Sequence, residues 1–390
     1  MRRILLFGSL VHPSAVRDLP EASEAANRFQ LGILRGMLDS GLQSALAITG
    51  LPIAAVPRPR KVFVHTSAWS LGEGIDIVAP GFLNLPPVKP VSIHMALRRA
   101  GLRTAAGADA VLAYNALPGP GSAGLAVAHE LGVPFVCVLA DYSARSPRSP
   151  LRAAELRWST RIVRGSDGLV VVSRHAIEDL GVSLPWVKVE GGLSNDWDEL
   201  PKVEVMPKTI VYAGTPTFAG GARLLLDAFR RIGDPGMRLV FAGRGGLETE
   251  ILAAASEDPR VQVKGFMPRV EMQRLLASGT VLVNPRLSSE RENRFNFPSK
   301  ILDYLASGRP VVTTLAGDLD AVYRRIAIPL SEETPESLAR LLVDLCSRPE
   351  GELVEMGARG RDFVLSERRW GSQGRRVYDL VERVIGGRRP

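Results

Sequence analysis

The pattern of apolar and polar positions along this chain predicts strands and helices in alternation, twice over. Residues 4–7 form a compact apolar run that reads as a strand, followed by a loop from Gly8 to about Pro20. A helix over 23–40 comes next, with Ala26, Phe29, Ile33 and Met37 on one face and Gly41 as its stop. Residues 45–48, 62–65, 75–78, 108–114, 134–139 and 168–172 are further strand candidates, and 123–131, 149–164 and 174–180 are helix candidates. From 186 to 208 the chain changes character, with Gly191-Gly192, an acidic patch and two prolines, and reads as a connection. The alternation then restarts, with strands at 209–212, 238–241, 261–263, 281–284 and 311–314. Helices at 222–232, 247–256 and 271–277 separate them, and three more, near 335–347, 351–364 and 373–385, complete the chain. Such alternation implies mostly parallel sheets covered on both faces. The expectation is an α/β protein with domains at 1–190 and 209–372, a connection at 191–208, and a last helix in 373–390.

Composition changes this picture little. The chain has 390 residues, 45% hydrophobic and 23% charged, which is enough for two or three globular domains with their own cores. Its longest apolar runs, such as 133–140, are far shorter than a membrane span, and the first residues read as a strand rather than a signal segment. Cys137 and Cys346 lie far apart, and the five histidines include no pair at zinc-ligand spacing. A reduced, cytoplasmic protein is expected, with no disulfide framework and no metal site.

Charge adds more. Of the net +8, residues 1–190 hold 20 Lys+Arg against 14 Asp+Glu, and the remainder 29 against 27. The excess gathers between Arg145 and Arg174, where Arg148, Arg152, Arg157, Arg161 and Arg164 meet few acids. Such a face suits an anionic bilayer, which would hold the protein at the inner face of the plasma membrane, or a phosphorylated acceptor; the bland alternative is a solvated helix surface. Without a helix-turn-helix, an aromatic stacking platform or an RNA motif, nucleic acid is not an expected partner.

The most informative stretch runs from Phe295 to Thr314. Pro298 suits a first helical turn, which leaves the amides of Ser299 and Lys300 as expected free donors at the positive end of a helix. Lys300 and Asp303 are spaced to share a face, Gly308 ends the helix, and Pro310-Val311-Val312 opens a buried strand. A cation beside free amides suits a diphosphate, and a carboxylate one turn later suits a sugar diol. An ordinary helix–strand unit is the alternative. Glycines follow three strands, at 214, 243 and 265, where a backbone must turn tightly or approach a ligand. The GxGG at 243–246 is not a dinucleotide fingerprint. Asp141 follows a buried strand at the sheet edge where open α/β sheets place ligands.

Residues 209–330 resemble the nucleotide-sugar-binding domain of GT-B glycosyltransferases, in particular retaining glycosyltransferase family 4. Four ordered blocks carry the resemblance: IVYAGTPTFAGGARLLLDAF, LVFAGRGGLETEI, VKGFMPRVEMQRLLASGTVLVNP and FPSKILDYLASGRPVVTT. The first half is similar to the family's acceptor domain more loosely, through the loop after the first strand and VPFVCVLADYS…DGLVVVSRHAIEDL. The resemblance implies two facing Rossmann-like domains with a cleft, and a last helix that crosses back to the first domain. It implies retaining transfer of a sugar from a UDP- or GDP-type donor to a glycan, glycolipid or polyprenyl-linked acceptor, without a further cofactor or a metal. A soluble natural-product acceptor is the alternative, as is a non-catalytic nucleotide-sugar binder; a nucleotide-sugar epimerase would need histidines in the cleft that do not stand out.

On the matching positions, Lys300 and the amides of Ser299 and Lys300 would meet the leaving diphosphate, and Asp303 would fix the ribose. Gly214, Thr215, Gly243, Phe266 and Pro298 would border the nucleotide, although Phe266 reads equally as core. Asp141, with Gly8 and Ser9, would face the acceptor or the transferred sugar, or Asp141 would cap the loop after it. The family's first motif glutamate falls on Phe295, for which Asn296 or Asn293 would substitute. Its diphosphate-gripping arginine and lysine fall on Thr215 and Gly220, which leaves Lys300, Arg244 and Arg294 as the expected cations.

Overall fold

The computed structural model describes residues 2–387 apart from Arg17, Pro20, 59–60, 143–149 and Asp320. The chain forms two compact units, Met1–Gly192 with Trp370–Pro390, and Leu193–Arg369.

The first unit contains β1 Arg2–Gly8, β2 Leu42–Thr49, β3 Phe63–Val64, β4 Ser67–Ser70, β5 Ile75–Ala79, β6 Phe82–Leu83, β7 Ala110–Tyr114, β8 Phe135–Leu139, β9 Gly168–Val171 and β10 Trp186–Lys188. Eight of these make one sheet, in the order β10-β9-β8-β7-β1-β2-β5-β4, parallel throughout except for β4. Every residue of β7, β8 and β9 is buried, as continuous apolar strands between two helical layers must be. Two readings from the sequence need correction. The strand expected at 62–65 shrinks to β3, which pairs only with β6 in a separate ribbon and leaves Phe63 exposed. The connection expected from 186 begins with β10, paired to β9 as an edge strand.

Helix Lys89–Thr104 was not legible from apolar spacing, because it buries only Leu97 and Gly101 fully. Gly101 is there for space: a Cβ would lie 2.6 Å from the Phe7 ring under it. The last helix, Trp370–Gly387, packs on Glu24–Leu38 within this unit. The two backbones meet at Gly36 and Gly374, where a Cβ on either would collide with the other helix. The Trp370 ring fits over Gly32 and stands edge-on to Phe29 at 5.5 Å.

The second unit carries β11 Thr209–Ala213, β12 Arg238–Ala242, β13 Val261–Gly265, β14 Val281–Asn284, β15 Val311–Thr313 and β16 Ile328–Pro329. They form a wholly parallel sheet in the order β13-β12-β11-β14-β15-β16. Leu193 and Trp197, from the segment read as a connection, are buried in the core of this unit beside Tyr304 and Leu305.

Candidate functional site

The C-terminal ends of β11, β12 and β13 converge through their glycines. The Gly214 amide donates to the Ala242 carbonyl at 2.8 Å, and the Gly243 amide to the Gly265 carbonyl at 2.6 Å. Gly214 and Gly243 have φ of 118° and 125°, in the region that disfavours other residues. A Cβ on Gly243 would strike the Gly214 carbonyl, so these turns touch backbone to backbone and present main chain to any ligand above them.

Lys300 reaches into this place. Its Nζ sits 3.8 Å from the centre of the Tyr212 ring, and a Cβ on Gly214 would lie 3.3 Å from its Cδ. Tyr212 is buried at the end of β11 and its hydroxyl donates to the Thr215 carbonyl at 3.0 Å, which holds the ring beneath the ammonium. Such a cation–π contact is worth about 1–2 kcal/mol when partly desolvated. Among the described residues Lys300 has no ion pair and no side-chain hydrogen bond. Burial first, and the Arg286 guanidinium second, push its pKa down from the usual lysine range to about 7, although part of the side chain remains open to solvent. Helix Lys300–Ala306 is fixed under the sheet by Tyr304, whose hydroxyl donates to the Ala213 carbonyl at 2.7 Å and accepts from the Ala213 amide at 2.6 Å.

Arg286 is the functional candidate that the sequence reading missed. It follows β14 by two residues and extends toward the same place from a different loop. Asn293, 2% exposed, accepts from its Nε at 2.8 Å and from its Nη2. Burial lowers its pKa to about 10, offset in part by Tyr212 and Glu292. The only signal available was an arginine two positions past a buried strand, and every sheet has such positions.

The remaining expected donor residues divide. Phe266 is 70% exposed, which rules out the core-packing alternative, and Thr215 is exposed as well. Arg244 is exposed with Glu248 3.9 Å away, and Arg294 is exposed 5.8 Å from the Phe295 ring. Asn296 is half-buried with a buried Oδ1 that lacks a hydrogen-bond partner, while Asn293 is wholly occupied with Arg286 and two carbonyls. Phe295 is 2% exposed. A Cβ at Gly220 would lie 2.8 Å from the Tyr212 hydroxyl, so this position has no room for a cationic side chain.

Two details of the helix start are corrected. The helix begins at Lys300 rather than at Pro298, and the Ser299 amide is not free, since it donates to the Phe297 carbonyl at 2.9 Å. The backbone between Phe297 and Ser299 closes a tight turn first, and that turn consumes the donor. Asp303, one helical turn on, gives its carboxylate to Trp197 Nε1 at 2.7 Å and to Arg269 at 2.9 and 3.1 Å. Arg269 also holds Asp196 at 2.7 Å, so this network ties residues 193–197 to the sheet's helices.

The first unit has its own cavity, of about 420 Å³, at the ends of β7 and β8. Ser9, Tyr114, Asn115, Asp141, Glu155 and Ser159 are among the residues that line it. Asn115, at a φ of 60°, organises the rim: its Oδ1 accepts from the amides of Ala140 and Asp141 at 2.9 and 3.0 Å, and its Nδ2 donates to Asp141 Oδ2 at 2.9 Å. Burial and the Asp141 charge raise the Tyr114 phenol above its usual range. Gln30 fixes the first loop by accepting from the Ser9 amide at 3.1 Å, and a Cβ on Gly8 would collide with the same side-chain oxygen.

Two units, one on a wholly parallel sheet and one on a sheet parallel except for β4, have a GT-B fold, and solved structures match it over the whole chain. Residues 207–348, within the second unit, match the family model for glycosyl transferases group 1. HepE (Alr3699) of Anabaena, solved with UDP, is similar with a TM-score of 0.69 and 13% identity, over 98% of this chain and 100% of that one. Sucrose-phosphate synthase of Thermosynechococcus elongatus gives 0.72 and 14%, over 99% and 100%. WaaG, a glycosyltransferase involved in lipopolysaccharide biosynthesis, gives 0.63 and 12%, over 99% and 98%. No curated protein matches the sequence significantly.

Proposed function

We propose that this protein is a glycosyltransferase that moves a sugar, with retention at the anomeric carbon, from a nucleoside-diphosphate sugar to a hydroxyl acceptor. The observation that carries the reading is Lys300, a cation without a counter-ion among the described residues, beside glycine turns in the stretch that matches the group 1 family model. When the glycosidic bond to the diphosphate breaks, negative charge develops on the β-phosphate, and an ammonium already in place stabilises it without reorganisation. A diphosphate there also draws the Lys300 proton back, because a neighbouring anion favours the charged form. In this reading side-chain cations carry the charge compensation, the Asp303 carboxylate meets the ribose, and Phe266 covers the base. A UDP-type donor is the first choice and a GDP-type donor the second; HepE has been solved with UDP-glucose as well as UDP.

The acceptor is assigned to the cavity of the first unit, with Asp141 as the group that orients its hydroxyl. An acceptor presented at an anionic membrane surface, as a glycolipid or polyprenyl-linked glycan, is supported by helix Pro150–Arg164, on which Arg157, Arg161, Arg164 and Trp158 are exposed. Arg145 and Arg148, and the side chain of Arg152, lie outside the described residues. Sedimentation with phosphatidylglycerol vesicles tests this part; binding no greater than to phosphatidylcholine vesicles removes its support.

One observation favours a second reading, a nucleotide-sugar binder without turnover: buried Phe295 offers no polar group where the family has a glutamate. Incubation with UDP- and GDP-sugars separates the two. Release of a nucleoside diphosphate, abolished in Lys300→Met, supports the enzyme; binding with no release supports the binder.

A further inference from the structure

We propose that Arg286 and Lys300 together form a two-cation site for a diphosphate-class anion, in which Asn293 is the positioning residue that aims Arg286. The proposal rests on the donor reading above and extends it to residues with no assigned role.

The two cations reach the site from separate elements, Arg286 from the loop after β14 and Lys300 from the start of its helix. Among the described residues neither makes an ion pair. Both are half-buried, and a positive charge withdrawn from water without a partner is unfavourable unless an anion supplies one. The Arg286 charge also disfavours that of Lys300, which is held down by burial first and by Arg286 second. Glu292 offsets part of that cost at Arg286 and the Tyr212 ring part of it at Lys300, and a bound anion beside both would offset more.

Asn293 shows that Arg286 is aimed rather than merely present. Its Nδ2 donates to the carbonyls of Ala219 and Leu287 at 2.8 and 2.7 Å, so its amide can point only one way. The amide oxygen is thereby turned to the guanidinium, where it takes Nε and Nη2. Of the five guanidinium N–H donors two are occupied and three remain, in the planar fork that matches phosphate oxygens. The ligand class follows from the charge. Two cations, one of them Lys300 beside the main chain at Gly214, suit a group of two or more negative charges that is compact enough to touch backbone.

The test uses the full chain and three probes measured by calorimetry: inorganic pyrophosphate, UDP and uridine. Arg286→Ala is expected to weaken pyrophosphate and UDP roughly 10- to 100-fold and to leave uridine unchanged. Arg286→Lys should recover part of the loss, and Asn293→Ala should weaken UDP less than Arg286→Ala while raising its salt dependence. Should Arg286→Ala fail to fold, Arg286→Lys and Arg286→Gln carry the comparison, with Gln expected to bind worse than Lys. UDP binding equally well to wild type and to Arg286→Ala overturns the two-cation site and leaves the donor reading standing. Pyrophosphate binding that depends on Arg286, without any response to UDP or GDP, sustains the site and removes the donor reading. Wild-type protein that binds neither pyrophosphate nor UDP overturns both.

Discussion

The two units place opposite charges at the same address. At the strand ends of the second unit stand Lys300 and Arg286, with no carboxylate paired to either among the described residues. At the strand ends of the first unit stand Asp141 and Glu155 with tyrosine, serine and asparagine around a cavity. Both sheets are parallel, apart from β4 in the first, and flanked by helices, so the fold alone sets neither chemistry. The difference lies in how the loops are held. Main chain meeting main chain at Gly214 and Gly243 makes a rigid floor for a fixed group, whereas one side chain, Asn115, holds the rim of the other cavity. In the reading proposed above, a diphosphate is common to all nucleoside-diphosphate sugars whereas an acceptor is particular, and the two constructions match those demands.

The largest expected effect breaks the cationic side. Lys300→Ala should lower transfer roughly 100- to 1000-fold, read as nucleoside diphosphate released per minute at saturating donor. The same charge is a burden to the empty fold. A lysine whose pKa falls from 10.5 to about 7 on folding binds fewer protons folded than unfolded between those pH values, so stability rises with pH across the window. Lys300→Met is therefore expected to melt above wild type at pH 7, with the gap closing as pH approaches 10. It should also lose the thermal stabilisation that UDP gives wild type. A variant that melts lower at pH 7 would mean that the ammonium is solvated.

Next in size is the acidic side. Asn115→Ala removes the three hydrogen bonds that hold residues 140–141 and leaves alanine at a φ of 60°. Transfer should fall roughly 10- to 100-fold through the acceptor KM, with UDP affinity unchanged. Asp141→Asn, which keeps the shape, should show the same split to a smaller degree. A loss of UDP affinity in either variant would collapse the distinction between the two sites.

The same contrast explains what was legible in the sequence. Strand–helix alternation gave both sheets, because apolar runs and helical spacing are local properties that tertiary packing only reinforces. The stretch around Lys300 was readable because a proline, a lysine and a glycine at fixed offsets dictate a turn, a charge and a stop. Arg286 and Asn115 were not readable, since their roles depend on partners that folding brings from elsewhere: Asn293 with Ala219 for one, Ala140 and Asp141 for the other. Helix Lys89–Thr104 was missed for a related reason. Its packing face is built on Gly101, a residue that apolar spacing counts as a gap. The Ser299 amide was misjudged because the turn at Phe297 consumes it before the helix starts.

Asp303 belongs to the second unit, and its role is resolved by comparing binding with stability. Its bonds to Trp197 and Arg269 predict that Asp303→Asn lowers stability by roughly 1.5–3 kcal/mol, a few degrees in melting temperature. A purely structural carboxylate would leave UDP affinity within about twofold once the variant is held well below its melting point. If Asp303 also receives the ribose, UDP and uridine should weaken together while pyrophosphate does not.

The smallest effect sharpens the comparison within the cationic side itself. Arg244, in the turn after β12, and Arg294, in the short helix Arg291–Phe295, carry the same charge as Arg286, yet both are exposed. An exposed cation acts through water and is screened within about 10 Å at ordinary salt, so its contact with a diphosphate is worth at most about 0.5–1 kcal/mol. Arg244→Ala and Arg294→Ala should each weaken UDP no more than about fivefold at low salt, and by almost nothing at 0.5 M. Arg286→Ala should keep most of its loss at the higher salt, because a half-buried guanidinium held by Asn293 is screened far less. What separates these three arginines is then burial and orientation rather than charge. If all three lose their effect together as salt rises, Arg286 acts from solvent and the contrast drawn inside this unit fails.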